Sequence, residues 1–487
     1  MKKFYLLALM AMVAISCHRE VEKELVINAT PIDESFAIGD SSVIPVGEAL
    51  KNLDELLDDL YVGTRSADKP SYSINNILTY TIPDATRSTA TIELPDTLVY
   101  MVQFDDNNGY AVLGARSGIS PVLSVIESGN LNVEKFSQAI EYEIENNILT
   151  REEYLRMLEQ LNEEEENMCE YDANPEDMAY ALTANVLIGD LVNGVIIDTP
   201  SSDIPDPNIG YPGITSIEQV VSYDILENCQ PLTKTRWRQE SPFNLLCKAG
   251  EQYCPVGCTV TAVAQIMACN KYPKDREFNG VVVRWDTVLE YDPFNYSRYN
   301  YDIDLETDSI ANQLSNLCYE LGKPSYCNVD YSPTGSSSTA RRAKITLDSM
   351  GYKNTVKRIG FAEADIIATV NMIKANKPVY VAAHNFWGTK GHATVFDGYV
   401  ERRKKTTTYT YYSDGTRRKS ESLGESERLF HINWGYSGTC DGYYVAKSKL
   451  DASERYANAT DVEYTPGGYN ISYSYNFRVV TYDLPNE

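Results

Sequence analysis

The stretch Tyr253-Cys254-Pro255-Val256-Gly257-Cys258-Thr259-Val260-Thr261-Ala262-Val263-Ala264-Gln265-Ile266-Met267-Ala268-Cys269-Asn270-Lys271-Tyr272-Pro273 decides how the rest of the chain is read. After Gly257 the apolar residues Val260, Val263, Ala264 and Met267 recur at i, i+3, i+4 and i+7, the stripe of a buried helix. Pro273 cannot continue a helix, so the spacing predicts one that opens at Cys258 and closes before Pro273. A thiol in that first turn faces backbone N–H groups with no intrahelical acceptor and the positive end of the helix dipole. Both favour the thiolate. A cysteine in a helical pattern is ordinarily a buried, inert residue, but two downstream motifs argue against that here. Gly391-His392-Ala393 supplies an imidazole, and Asn433-Trp434-Gly435 supplies a polar side chain beside an indole. These are the partners that a thiolate nucleophile uses.

Composition sets the wider frame. A chain of 487 residues is too long for one ordinary core, so two domains are expected. With 43% hydrophobic and 23% charged residues it reads as a soluble globular protein. A net charge of -26 argues against nucleic acid as a partner, because a phosphate-binding surface needs positive potential. The 36 tyrosines suit half-buried strands. With only four histidines, each one is informative. Cysteine and histidine spacings include no CxxC pair and no zinc-ligand cluster, so no metal or cofactor is expected.

The N-terminus reads as a targeting segment. Met1-Lys2-Lys3 is a charged start, and Phe4 to Ile15 is an apolar run too short to span a bilayer. The run ends Val13-Ala14-Ile15-Ser16-Cys17, which is similar to a bacterial lipobox, so Cys17 is the expected lipidation site. Residues 1–17 are then a lipoprotein signal, and the remainder is exported to the outer membrane or cell surface with a lipid tether to the membrane. Nine further cysteines are an odd number for an exported chain. The spacings Cys318–Cys327 and Cys247–Cys254 permit local disulfides without requiring them.

Residues 18–70 are polar with scattered apolar residues and read as a tether and the start of a first domain that continues through 71–193. Leu98–Phe104, Tyr110–Ala115 and Pro121–Ile126 pattern as strands, with a turn at Asp105–Gly109. Val133–Ile148 carries a helical stripe through Phe136, Ile140 and Ile144. Thr150 with Glu153 resembles a capping box, and Glu163–Glu166 reads as a solvated helix end. Residues 194–230 include the richest proline stretch and read as a linker and activation region. The second domain, 231–487, becomes strand-rich after residue 377, with strands at Lys377–Ala383, His392–Glu401 and Arg428–Gly435. Arg402–Ser426 reads as a solvated hairpin insertion with a turn at Ser413-Asp414-Gly415, rather than as a patch for an acidic partner.

From residue 231 onward the motifs resemble the streptopain family of papain-fold cysteine proteases. Thr235-Arg236-Trp237-Arg238-Gln239-Glu240-Ser241-Pro242-Phe243-Asn244 is similar to the family's Trp-x-Gln-x-x-Pro-Tyr-Asn segment. Gly257–Met267 with Tyr272-Pro273 resembles its nucleophile helix, and Asp330–Ser336 its glycine-serine loop. Gly391-His392-Ala393 and His431-Ile432-Asn433-Trp434-Gly435 complete the set in the family's order. Gly109–Leu113 through Pro121-Val122-Leu123 resembles the family's inhibitory propeptide. The resemblance implies an α+β protein in which an inhibitory pro-domain precedes a papain-like domain with a helical half and an antiparallel-sheet half. It implies an endopeptidase made as a zymogen, with protein or peptide substrates and its own pro-domain as inhibitor.

On that reading Cys258 attacks a peptide carbonyl, and His392 carries the proton to the leaving amine. The Gln239 amide and the Cys258 N–H form the oxyanion hole. Asn433 accepts from His392 and fixes its tautomer, with Trp434 covering that contact. Two departures bear on specificity: Tyr436 stands where the family often has a second Trp, and the following loop carries Cys440. His384 and His431 are expected to be structural. Two other classes share the Cys…His order: a different Cys–His amide hydrolase or acyltransferase, such as a cell-wall amidase, and a non-catalytic surface-binding lipoprotein. The propeptide-like stretch and the Gln239 segment argue against the first. The joint presence of Gln239, Cys258, His392 and Asn433 argues against the second.

Overall fold

Residues 43–60, 72–81, 97–116, 118–146, 174–197, 214–359, 363–384, 391–445 and 477–485 are described by a computed structural model. The signal segment with Cys17, the Thr150 capping box, the acidic run at 163–166 and the proline-rich residues 199–213 lie outside them.

The first domain starts with α1 (Val46–Leu60), which buries Ala49, Leu53, Leu56, Leu57 and Leu60 on one face. Four antiparallel strands follow: β1 (Ile74–Tyr80), β2 (Val99–Phe104), β3 (Tyr110–Gly114) and β4 (Ser124–Ile126). The expected turn at Asp105–Gly109 contains a short 3-10 segment, Asp105–Asn107, and ends at Gly109 with φ 92°. A Cβ on Gly109 would lie 1.8 Å from the Ile126 carbonyl oxygen, so only glycine lets β4 close on this turn. Helices α2 (Val133–Asn146) and α3 (Pro175–Ile197) pack on each other, and Phe136, Ile140 and Ile144 are buried as their spacing predicts.

The second domain contributes β5 (Ile214–Cys229), the small hairpin β6 (Lys248–Ala249) and β7 (Gln252–Tyr253), and α4 (Cys258–Asn270). Hairpin β8 (Glu277–Phe278) and β9 (Val281–Val282), α5 (Trp285–Val288), α6 (Ser309–Gly322) and α7 (Ala340–Ser349) complete the helical half. Asp308 and Thr339 cap α6 and α7 by accepting from the N–H groups of Ala311 and Arg342. The sheet half holds β10 (Lys353–Ile359), α8 (Glu363–Lys374), β11 (Val379–His384), β12 (Gly391–Tyr412), β13 (Arg417–Asn433), β14 (Gly442–Val445) and β15 (Arg478–Asp483). Mixed helices and antiparallel sheet make the domain α+β and papain-like, as expected.

The strands of both domains form one sheet in the order β1-β2-β3-β4-β14-β13-β12-β11-β15-β10. The two domains meet where β4 pairs with β14, with Gly442, Tyr443 and Tyr444 opposite Ile126, Val125 and Ser124. Along its other edge β12 pairs first with β11 and then, from Tyr399 onward, with β5.

That last pairing alters the reading of residues 194–230. Residues 194–197 end α3 and residues 214–229 form a strand, so only part of the stretch can be a linker. The sequence signal was misleading because the prolines and the strand residues fall in one polar segment. The insertion at 402–426 is a hairpin, as expected, with Asp414 accepting from the Thr416 N–H in its turn.

Candidate active site

Helix α4 is buried from Cys258 to Ala268, not only along its apolar stripe. It is the central helix of the domain, packed against β12 and against α6 and α7. Gly257 precedes it with φ 89°, and a Cβ there would meet the Ser336 carbonyl at 3.4 Å. Its left-handed φ is what calls for glycine at this entry, and the Ser336 carbonyl of the glycine-serine loop lies alongside it. Cys258 occupies the first position of α4, where the helix N-terminus favours a thiolate.

Gln239 reaches this region through its backbone. Its carbonyl accepts from the Val256 N–H at 2.9 Å, two residues before Cys258, and its side chain is 4% exposed. Arg238 fixes the same turn by donating to the carbonyls of Ser241 and Tyr296. Trp237 packs on Phe243, and its carbonyl accepts from Ser437. Residues 237–239 are thus tied both to the approach to Cys258 and to the loop after Trp434.

His392 lies near the start of β12, paired with Ala383, and is fully buried. Its Nε2 donates to the Trp434 carbonyl at 2.9 Å, and the Trp434 ring stacks on the imidazole with centroids 5.9 Å apart and planes at 27°. A proton on Nε2 leaves Nδ1 as the basic nitrogen.

This geometry corrects the role expected for Asn433. Its Oδ1 accepts from Gln265 Nε2 at 2.9 Å and from the Gly435 N–H at 3.0 Å. Its Nδ2 donates to the Thr235 carbonyl at 2.8 Å and to Thr233 Oγ1 at 3.2 Å. The amide ties α4 to the chain before Trp237, and its neighbour's backbone carbonyl takes the His392 proton instead.

A second buried polar group adjoins the first. His431 Nδ1 lies 2.6 Å from Asp397 Oδ1, and its Nε2 lies 3.7 Å from Glu127 of the first domain. Asp397 also accepts from the N–H and hydroxyl of Thr233. The Asp397 and Glu127 carboxylates outweigh burial and hold the His431 imidazole well above its ordinary range. Asp441 accepts from the Trp434 N–H at 2.8 Å. Burial pushes its carboxyl up to about 7, opposed by that N–H and by His431.

Tyr436, at the departure from the family pattern, bonds Arg298 at 3.2 Å and lies under its guanidinium, which also pairs with Glu240. Cys440 is buried, and its carbonyl accepts from Tyr444. Cys247, Cys254, Cys318 and Cys327 stand as thiols, so neither permitted local disulfide is formed. Among the described residues no cluster of His, Cys, Asp or Glu is arranged to hold a metal ion.

Sequence reading missed Asp441, Gln265 and Thr233. Asp441 could have been noticed as a lone acid between Cys440 and Gly442, in a loop already marked by its glycines. A helix-borne Gln265 carries no signal that distinguishes it from a surface residue.

Cys258 thus opens a buried helix that packs on β12, the strand that carries the buried His392 of this α+β domain. Residues 237–444 match the model of the peptidase C10 family. Streptopain of Streptococcus pyogenes is 27% identical over 275 residues, covering 50% of this chain and 59% of that protein. The thiol protease/hemagglutinin PrtT of Porphyromonas gingivalis is 25% identical over 230 residues, 43% of this chain and 22% of that protein. The chain therefore matches less than two thirds of either relative's length. A solved fragment of Prevotella intermedia prointerpain A aligns with TM-score 0.42 and 18% identity, covering 80% of this chain and 98% of the fragment.

Proposed function

We propose that the chain is a cysteine endopeptidase, made as a zymogen, exported and tethered by lipid at Cys17. The observation that carries the catalytic reading is Cys258 at the N-terminus of α4 together with His392 held at Nε2 by the Trp434 carbonyl. The Cys258 thiolate attacks the peptide carbonyl, and His392 gives its Nδ1 proton to the leaving amine. The Gln239 amide and the Cys258 N–H hold the oxyanion, and water then releases the acyl group from sulfur. Names of the relatives, streptopain and a thiol protease, support the same class.

Latency is supported by the way the first domain seats on the wall of the site. Glu127 N–H donates to the Asp441 carbonyl, and Ser128 Oγ donates to the Gly438 carbonyl. Tethering rests on the lipobox-like end of the apolar N-terminal run. Cys258→Ala and His392→Ala should each abolish hydrolysis of casein by the processed protein and leave its circular dichroism unchanged. A Cys258→Ala protein that still cleaves casein would overturn the catalytic reading. An uncut full-length chain as active as the processed form would overturn latency, and unchanged membrane fractionation of Cys17→Ser would overturn the tether.

A further inference from the structure

We propose that Asp441 is a positioning residue for His392, acting through the peptide groups of Trp434; this rests on the endopeptidase reading above. Both backbone polar groups of Trp434 are committed. Its N–H donates to Asp441 Oδ1 at 2.8 Å, and its carbonyl accepts from His392 Nε2 at 2.9 Å. The two bonds lie on the peptide groups either side of one Cα, so Asp441 holds in place the residue whose carbonyl holds His392. The ring of Trp434 is clamped as well, stacked on His392 and edge-on to Tyr444 at 5.9 Å.

The loop is shaped to bring Asp441 back beneath Trp434, seven residues earlier. Ser437 and Cys440 take φ of 61° and 65°, and Gly438 takes 85°. Left-handed backbone at two non-glycine residues is held only where the surroundings demand it. Here the demands are Ser437 N–H on the Trp237 carbonyl and Tyr444 Oη on the Cys440 carbonyl.

Asp441 is 8% exposed, and burying a carboxylate is costly unless its charge is used. A neutral acceptor would satisfy the Trp434 N–H equally well as geometry. Once ionised, above a carboxyl pKa that burial raises to about 7, Asp441 adds two effects. It anchors the Trp434 backbone through a charge-assisted hydrogen bond, which fixes the carbonyl that His392 uses, and it stabilises through space the imidazolium that pairs with the Cys258 thiolate. The other titratable groups facing Asp441 include His431 of β13, Asp397 of β12, Glu127 of the first domain, Cys440 beside it and Tyr444 of β14.

The test compares full chains carrying Asp441→Asn, Asp441→Ala or Asp441→Glu with the wild type, each after processing, for kcat, KM and the pH profile of kcat/KM. Asp441→Ala is expected to lower kcat about tenfold or more with KM within about twofold. Asp441→Asn keeps an acceptor oxygen and should recover part of kcat. In both, the alkaline limb, which reports loss of the imidazolium proton, should move to lower pH. Asp441→Glu keeps the charge, and its limb is expected at the wild-type pH. A folded Asp441→Asn protein with wild-type kcat and an unmoved limb would overturn the proposal. So would a loss confined to KM, or a limb moved as far in Asp441→Glu as in Asp441→Asn. A wild-type protein that cleaves no peptide would instead sink the endopeptidase reading on which the proposal rests.

Discussion

Asn433 has every hydrogen-bonding site of its amide in use, bridging Gln265, Gly435, Thr233 and Thr235 at 3% exposure. Asn433→Ala would orphan several buried groups at once, and each orphan costs about 1–3 kcal/mol. The expected result is a loss of roughly 3 kcal/mol or more in urea-unfolding stability. Folded molecules should keep measurable peptidase activity, since His392 keeps its carbonyl acceptor. A variant of unchanged stability and near-zero kcat would show that the amide acts on the imidazole after all. The sequence displays side chains, so it points to Asn433 as the polar partner of His392. A backbone carbonyl has no letter of its own, and the acceptor supplied by Trp434 emerges only once β13 and its following turn are folded.

At the level of elements, the site helix and its sheet were largely legible, because α4 and the strands around His392 and Asn433 carry strong periodicity and long runs. Strand β5 was not. Its residues alternate poorly between polar and apolar, since much of it lies along an exposed arm, and its pairing with β12 is a contact between distant parts of the chain. Gly398 marks the point where β5 leaves the sheet. A Cβ there would come within 3.0 Å of the Cys229 carbonyl oxygen and of Pro231 N. Proteases bind extended backbone that is free of other partners, and paired strand residues do not offer it. Under the zymogen proposal, activation cleavage is expected to spare residues 214–229, leaving β5 on the processed enzyme. N-terminal sequencing of that enzyme checks this. A chain engineered to start at residue 230 should be less stable than one starting at 214, because the β12 edge from Tyr399 to Tyr412 loses its partner.

Across the whole molecule, the junction between the domains is also a titrating site. His431 sits between Asp397 of the second domain and Glu127 of the first, and its folded-state pKa is raised. A raised histidine pKa contributes stability that is fully present below the unfolded value of about 6.5. That contribution is lost as pH rises through the higher folded value. The urea midpoint of the full-length chain is thus expected to fall as pH rises above neutrality, and His431→Gln should flatten the dependence. A profile with the same slope in both proteins would remove His431 as its source. Length and the propeptide-like strands suggest two domains in the sequence, whereas the joining of β4 to β14 in one sheet was not legible, because pairing between distant edges leaves no local pattern.

The joint between β4 and β14 is only three residue pairs long, and within an uncut chain its two sides can never drift apart. Covalent linkage holds them at an effective concentration of the order of millimolar, whatever the concentration of the protein itself. A single backbone cut replaces that fixed value with the bulk concentration while leaving every hydrogen bond of the joint in place. Under the latency proposed above, cleavage and activation are then separate events: a nicked protein kept concentrated is expected to stay assembled and inactive, and dilution of the same sample to release its activity.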